Sequence, residues 1–166
     1  MRFLKLIFGG SAATPSKDLE RDARRSYGIR EKNTVFDAWT SGDLGRMLKA
    51  RGVPTNLIDR HFLLMGIVSQ TYRKRADPKM RKLCKETAEQ HIQEFSSIAP
   101  ALKEDLDGTL PRVLTFQHYA TVLAEDKMFA EAICVCEIAI SFDLHDGTKS
   151  GFQGRISRIK KKMQQL

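Results

Sequence analysis

The region that most constrains the fold runs from Pro111 to Leu144, PRVLTFQHYATVLAEDKMFAEAICVCEIAISFDL. Each half of this region places apolar residues at steps of three and four, the spacing of one face of an α-helix. A charged triplet, Glu125-Asp126-Lys127, separates the two halves. Pro111 suits the first turn of a helix, because no N–H is needed there. The region therefore predicts two antiparallel helices joined by a tight turn, the first beginning near Pro111 and the second spanning about 128–142.

The second predicted helix carries a line of small residues. Ala132, Cys136 and Ala139 follow one another at steps of four and three, so they lie on the same face. Small side chains allow a neighbouring helix to come close. This face is therefore predicted to pack against the first helix of the pair.

The pair resembles a tetratricopeptide repeat. That repeat has two small residues seven positions apart on its second helix, matched by Ala132 and Ala139, and a small residue twelve positions earlier, matched by Ala120. Phe116 and Phe129 match two of its aromatic positions. Four positions depart from the family pattern: Tyr119, Leu123, Cys136 and Leu144.

A degenerate second copy of the repeat covers about 62–95. Ala88 fits the pattern there, but Arg81 and Lys85 stand at positions where the family has small or aromatic residues. One helix is predicted over about 55–75, and Asp77 followed by Pro78 predicts the start of the next. Residues 96–108 are predicted to link the two hairpins.

The resemblance implies an all-α fold in which antiparallel αα-hairpins stack as a short tetratricopeptide-like array, closed by a capping helix at 151–166. It also implies a groove lined by the first helix of each hairpin. The implied groove residues are Leu114, Gln117, Thr121 and Glu125. Members of the family that clamp a peptide carboxylate have Lys and Asn at the positions of Gln117 and Thr121, which this chain lacks. The implied function is a protein–protein interaction module or small scaffold rather than an enzyme.

A formal net charge of +8 permits contact with nucleic acid, anionic membrane or an acidic protein. The basic residues form two clusters. The first, at 73–85, includes Arg73, Lys74, Arg75, Arg81 and Lys82, and the second, at 155–162, includes Arg155, Arg158, Lys160, Lys161 and Lys162. If both clusters lay on one side of the molecule, they would form a phosphate-binding surface. A nucleic-acid-binding accessory protein is therefore the alternative function.

No catalytic or metal-binding pattern is apparent among the three cysteines and four histidines. Cys134 and Cys136 are two residues apart on a helix, so they point to nearly opposite sides. His91 lies on an apolar stripe and is predicted to be a core residue. We expect no metal, no cofactor and no enzyme activity. The third alternative function is an enzyme whose active site is assembled from residues distant in the sequence. The start of the last helix at 148–152, beside Lys149, is a candidate anion site.

The odd number of cysteines argues against a disulfide framework and favours a reducing cytoplasm. The chain has no run of about 18 apolar residues, the length needed for a transmembrane span. Residues 1–15 are predicted to be a segment that stays mobile or packs on the domain, and 16–166 a single helical domain. The apolar residues at 3–8 could contact a membrane surface. Residues 16–29 predict a surface helix, and 35–50 predicts a helix broken at TSGD, with Ser41 capping its second part.

Overall fold

A computed structural model describes residues 34–165, which form helices joined by turns and contain no strand. The all-α prediction is confirmed for this part of the chain. The predictions for segment 1–15, its membrane contact and the helix at 16–29 lie outside the described residues. The described helices are α1 Thr34–Thr40, α2 Leu44–Ala50, α3 Leu57–Arg73, α4 Pro78–Asp105, α5 Leu114–Glu125, α6 Phe129–Ser141 and α7 Gly151–Met163.

Side-chain caps fix the starts of three helices. The Asp77 carboxylate accepts hydrogen bonds from the Lys79 and Met80 amides, and Pro78 occupies the first turn of α4, as predicted. Asn56 caps α3 in the same way. The predicted cap of α2 is wrong, because Asp43 rather than Ser41 accepts the Arg46 amide.

The predicted link at 96–108 is wrong, since α4 continues through it to Asp105. Pro100 lies inside the helix and cannot donate a backbone hydrogen bond. Ile98, Ala99 and Leu102 are buried around it. Burial of these side chains accounts for the continuation of α4 past the proline, because tertiary packing outweighs a local helix-breaking signal.

The start of α5 also differs from its prediction. The helix begins at Leu114, three residues after Pro111, and Val113 precedes it with extended backbone. Val113 is almost fully buried, so the chain enters the core before the helix starts. Asp107 and Gly108 both have positive φ, which turns the chain after α4.

Contacts between α3 and α4 show that these helices run antiparallel. His61 contacts His91 and Arg60 contacts Glu94 near the start of α3, while Cys84 contacts the Val68 carbonyl further along it. The main core is formed by side chains of α3, α4, α5, α6 and α7. A smaller cluster joins α1 and α2 to α3, and its buried members are Val35, Ala38, Met47, Ala50, Leu63 and Ile67.

The small-residue face of α6 is packed as predicted. Ala120, Ala132, Cys136 and Ala139 are all fully buried, and α5 contacts α6 across a three-residue connection. Lys127 in that connection has a φ of 63°. Helix α7 packs against α6 through Phe152, Ile156 and Ile159, whereas Met163, the last member of its predicted apolar stripe, is exposed. None of the described helices combines the length and the apolar composition needed to cross a membrane.

Candidate partner-binding face

Side-chain contacts link the odd-numbered helices in chain order. Trp39 of α1 stacks on Phe62 of α3, with ring centres 4.8 Å apart. Tyr72 of α3 stacks on His118 of α5, with ring centres 3.9 Å apart and planes inclined by 16°. The Arg155 guanidinium of α7 donates to the Thr121 hydroxyl of α5 at 3.0 Å. We call the surface formed along these contacts the odd-helix face, and define it by Trp39, Phe62, Tyr72, His118, Thr121 and Arg155.

The predicted groove residues of α5 lie on this face. Leu114, Gln117 and Thr121 are half-buried, and Glu125 is exposed. The opposite side of α5 carries fully buried residues, including Phe116 and Leu123, that belong to the core. The periodicity therefore places the predicted groove residues on the side of α5 that faces away from the core.

Tyr72 and His118 form the centre of the odd-helix face. The Arg75 guanidinium carbon lies 4.1 Å from the centre of the Tyr72 ring. It must occupy the ring face opposite His118, since the imidazole already covers the other one at 3.9 Å. Both faces of Tyr72 are therefore covered by protein groups.

His118 is surrounded by positive charge. Its pKa is lowered to about 4, first by burial and then by the charges of Arg155, Arg75, Arg112 and Arg73. The imidazole is therefore neutral at physiological pH. These arginines come from the end of α3 and the turn after it, from the segment before α5, and from α7, so three separate parts of the chain bring positive charge to bear on His118.

Arg112 is held on this face by two neighbours. Its guanidinium donates to the Gln117 side-chain oxygen at 2.8 Å. It also lies against Gly147, where an added Cβ would come within 2.7 Å of the guanidinium carbon. Gly147 has a φ of +82°, so both its backbone conformation and the close approach of Arg112 favour glycine.

Two of the arginines are neutralised by acidic side chains. Arg75 pairs with Glu125 at 2.9 Å. Arg155 pairs at 3.1 Å with Asp146, whose side chain is fully buried. Within residues 34–165, no acidic side chain pairs with Arg73 or Arg112. Arg73 and Arg112 are both exposed, so their charges are accessible to a ligand.

The basic residues of α7 fall on two different sides. Arg155, Arg158 and Lys162 follow one another at steps of three and four and share the side of the helix that meets Thr121. Arg158 and Lys162 are exposed. Lys160 and Lys161 are equally exposed but lie outside this stripe. Only part of the second predicted basic cluster therefore belongs to the odd-helix face.

The first predicted basic cluster is also divided. Arg81 pairs with Glu125 at 3.0 Å and with Asp126 at 2.7 Å, and Lys85 pairs with Asp126 at 2.7 Å. These ion pairs connect α4 to the turn between α5 and α6. Lys74 and Lys82 are both exposed. Lys82 lies beside a cavity of about 310 Å³ between α4, α5 and α6, which is also lined by Tyr119, Leu123 and Met128.

Two cysteines and two histidines of the described chain are buried. Burial raises the pKa of the Cys136 thiol to about 12 and also raises the pKa of Cys84. His61 Nδ1 lies 3.0 Å from His91 Nε2, and His91 Nδ1 lies 2.7 Å from the Thr115 hydroxyl. Both rings are fully buried, which confirms that His91 is a core residue. In the described part of the chain, no group of three His, Cys, Asp or Glu side chains could hold a metal ion.

The predicted anion site at the start of α7 is occupied by the protein itself. The Asp146 carboxylate accepts both the Thr148 amide, at 2.9 Å, and the Thr148 hydroxyl, at 2.7 Å. Its negative charge would repel a second anion.

Sequence reasoning missed Tyr72, His118 and Arg112. One signal was present for His118, because Leu114, His118, Thr121 and Glu125 follow at steps of four, three and four. Tyr72 and Arg112 had no local signal, since their role depends on the packing of α3 against α5 and on the loop before α7.

No protein-family model matches this chain, and neither the curated proteins nor the solved structures compared with it give a match. The resemblance to tetratricopeptide repeats therefore stays a prediction. The function is therefore inferred from the geometry of the odd-helix face.

Proposed function

We propose that the protein is a non-enzymatic interaction module of helical-repeat type that binds an acidic segment of another protein along the odd-helix face. The observation that carries the proposal is the positive charge beside the stacked Tyr72–His118 pair, where Arg75 covers Tyr72 and Arg155 bonds Thr121. The charges of Arg73 and Arg112 also lower the pKa of His118. These residues lie beside the groove positions that the family resemblance implies.

The charge of this face selects an anionic ligand. Arg73 and Arg112 have no acidic partner among residues 34–165 and are exposed, so a ligand carboxylate could reach them. A guanidinium binds a carboxylate with two parallel hydrogen bonds. Arg158 and Lys162 extend the positive surface along α7. A ligand with several acidic residues would therefore gain contacts along the whole face.

A protein ligand fits this face better than a nucleic acid. Proteins that bind single strands offer accessible aromatic rings on which bases stack. Both faces of Tyr72 are covered, by His118 and by Arg75. Trp39 has Phe62 on one ring face and the edge of Phe36 nearby. Phosphates could meet the arginines, but Tyr72, the ring beside them, has no free face on which a base could stack.

The protonation states support a binding role over a catalytic one. The pKa of His118 lies near 4, so it would hold no proton to donate at neutral pH. The raised pKa values of Cys84, Cys134 and Cys136 keep these thiols protonated. A general acid or nucleophile needs a pKa adjusted toward the working pH, and the shifts here go away from it.

The proposal is tested by fluorescence anisotropy of the full chain with a labelled peptide of glutamate and glycine. A single-stranded oligonucleotide of equal charge is measured beside it across a salt series. We expect the peptide to bind more tightly than the oligonucleotide at each salt concentration, and its affinity to fall as salt rises. Tighter binding of the oligonucleotide would favour the alternative function. Absence of binding by both at low salt would overturn the proposed function.

A further inference from the structure

The odd-helix face has an aromatic end as well as a basic one. Phe36, at this end, is 40% exposed. It meets Trp39 edge-on, with ring centres 5.3 Å apart, and Trp39 in turn stacks on Phe62. We call Phe36, Trp39 and Phe62 the aromatic patch.

The accessible part of this patch is apolar. The one polar atom of the indole, Nε1, donates to the Asp59 carboxylate at 3.0 Å. Asp59 also accepts from the Asn56 side chain and is buried. The hydrogen-bonding needs of Trp39 are thus met within the protein, and what the patch offers to a ligand is apolar contact.

Helix α3 connects the aromatic patch to the arginines. Phe62, Met65, Ser69 and Tyr72 follow at steps of three, four and three, so they form one stripe on that helix. All four are half-buried. Phe62 and Tyr72 are ten residues apart on α3, which corresponds to about 15 Å along its axis. The two ends of the face therefore belong to one continuous surface.

We propose that the aromatic patch receives a large apolar side chain of the same acidic segment that meets the arginines. This inference rests on the proposed function and specifies its ligand. An extended chain advances about 3.3 Å per residue, so at least about five residues must separate the apolar side chain from the acidic group that reaches the Tyr72–His118 pair.

Charge favours a partner protein over the chain's own first residues as the occupant. Residues 3–8 are apolar enough to contact an aromatic patch. However, eight basic and four acidic residues precede Thr34, so residues 1–33 carry a positive net charge. The stripe continues into a basic surface that would repel this segment and attract an acidic one.

The test compares peptides of glutamate and glycine that differ in one position. One series carries a single Leu placed about five to eight residues from the acidic block, on either side, and the reference peptide has Gly instead. Trp39 is the only tryptophan of the chain and the peptides contain none, so its emission reports on the patch. We expect the best Leu peptide to bind about tenfold more tightly than the reference, and only Leu peptides to shift the Trp39 emission.

Two variants test whether the higher affinity of the Leu peptide comes from the aromatic patch. Phe36→Ser should reduce the affinity of the Leu peptide to that of the reference peptide. Leu106→Ser, which changes a residue of similar exposure (38%) elsewhere, should leave the difference intact. Equal affinities of both peptides for the unchanged protein, with unchanged Trp39 emission, would overturn the inference while the acidic peptide still bound. A change of Trp39 emission on Phe3→Ser and Phe8→Ser substitution, without peptide, would assign the patch to the chain's own N-terminus and equally overturn it.

Discussion

Arg155 contributes to the stability of the protein as well as to the charge of the odd-helix face. Its side chain is 20% exposed, and its guanidinium pairs with the buried Asp146 carboxylate. Asp146 in turn fixes Thr148, and its pKa is lowered mainly by these hydrogen bonds and by Arg155, against the effect of burial. Substitution of Arg155 would leave the buried Asp146 carboxylate without its positively charged partner. It would therefore lower the stability of the fold as well as weaken binding.

Arg155→Ala should therefore lower the free energy of unfolding by about 2 kcal/mol. The reason is that removing one partner of a buried ion pair strands the other, and the partial exposure of Arg155 reduces the full penalty. Arg158→Ala, one turn away and exposed, should change it by less than about 0.5 kcal/mol. Urea denaturation of both variants measures the difference, and equal midpoints would contradict the structural role of Arg155.

The lowered pKa values of three histidines lead us to expect a loss of stability in mild acid. Burial lowers the pKa of His61 and His118 to about 4, and the pKa of His91 also lies well below its usual value. In the unfolded chain these groups titrate near 6.5. The unfolded state therefore binds more protons than the folded state between about pH 4 and pH 6.5, and stability falls as the pH is lowered through this range.

From pH 7 to pH 5 the free energy of unfolding should drop by about 2 kcal/mol for each imidazole that stays neutral in the folded protein, because the same group in the unfolded chain becomes largely protonated over that range. Denaturant titrations at a series of pH values measure this. The acidic groups Glu94, Glu125, Asp126 and Asp146 have lowered pKa values and stay ionised over that range. A denaturation midpoint that is constant between pH 7 and pH 5 would mean that the imidazoles are not held neutral.

Helix starts were predictable where the signal is local. Asp77 and Pro78 predicted the start of α4, because a cap and a first-turn proline act within a few residues. The end of α4 was not predictable, since Pro100 is a helix-breaking signal and the burial of Ile98 and Leu102 overrides it. The start of α5 predicted from Pro111 was wrong for a related reason, because Val113 is buried in extended conformation and the helix begins only at Leu114.

The small-residue face of α6 was predicted from spacing alone, and its packing suggests a direct test. Ala139 is fully buried, so Ala139→Leu would insert three carbon atoms into a filled interface. We expect it to lower the free energy of unfolding by about 1 to 3 kcal/mol in a urea titration. Glu137→Leu, at an exposed position of the same helix, is the control and should have little effect. A similar small effect of both would mean that α6 does not need small residues at this face.

The all-α class of the described chain followed from periodicity, but the odd-helix face did not. Two basic clusters were visible in the sequence, and the fold divides each of them. Arg81 forms ion pairs with Glu125 and Asp126, whereas the charges of Arg155 and Arg112 both act on His118. Such groupings depend on which helix lies beside which, and periodicity within one helix carries no information on that. The stacking of hairpins as a tetratricopeptide-like array remains a prediction.

The formal net charge is shared between the described residues and those before them. Eight of the 28 basic residues and four of the 20 acidic residues precede Thr34, so half of the net charge of +8 belongs to residues 1–33. Net charge alone therefore says little about the binding surface. What distinguishes the odd-helix face is the placement of Arg73 and Arg112, which have no acidic partner within residues 34–165.

The most direct test of the binding face uses two double variants of α7 that change the net charge equally. Arg158→Glu with Lys162→Glu reverses charge on the side that meets α5, and Lys160→Glu with Lys161→Glu reverses it outside that stripe. All four residues are exposed, so both proteins should fold. We expect the first variant to bind the glutamate peptide at least about tenfold more weakly than the second at low salt. Equal weakening by both would show that binding follows net charge alone, and would contradict an acidic-segment site on the odd-helix face.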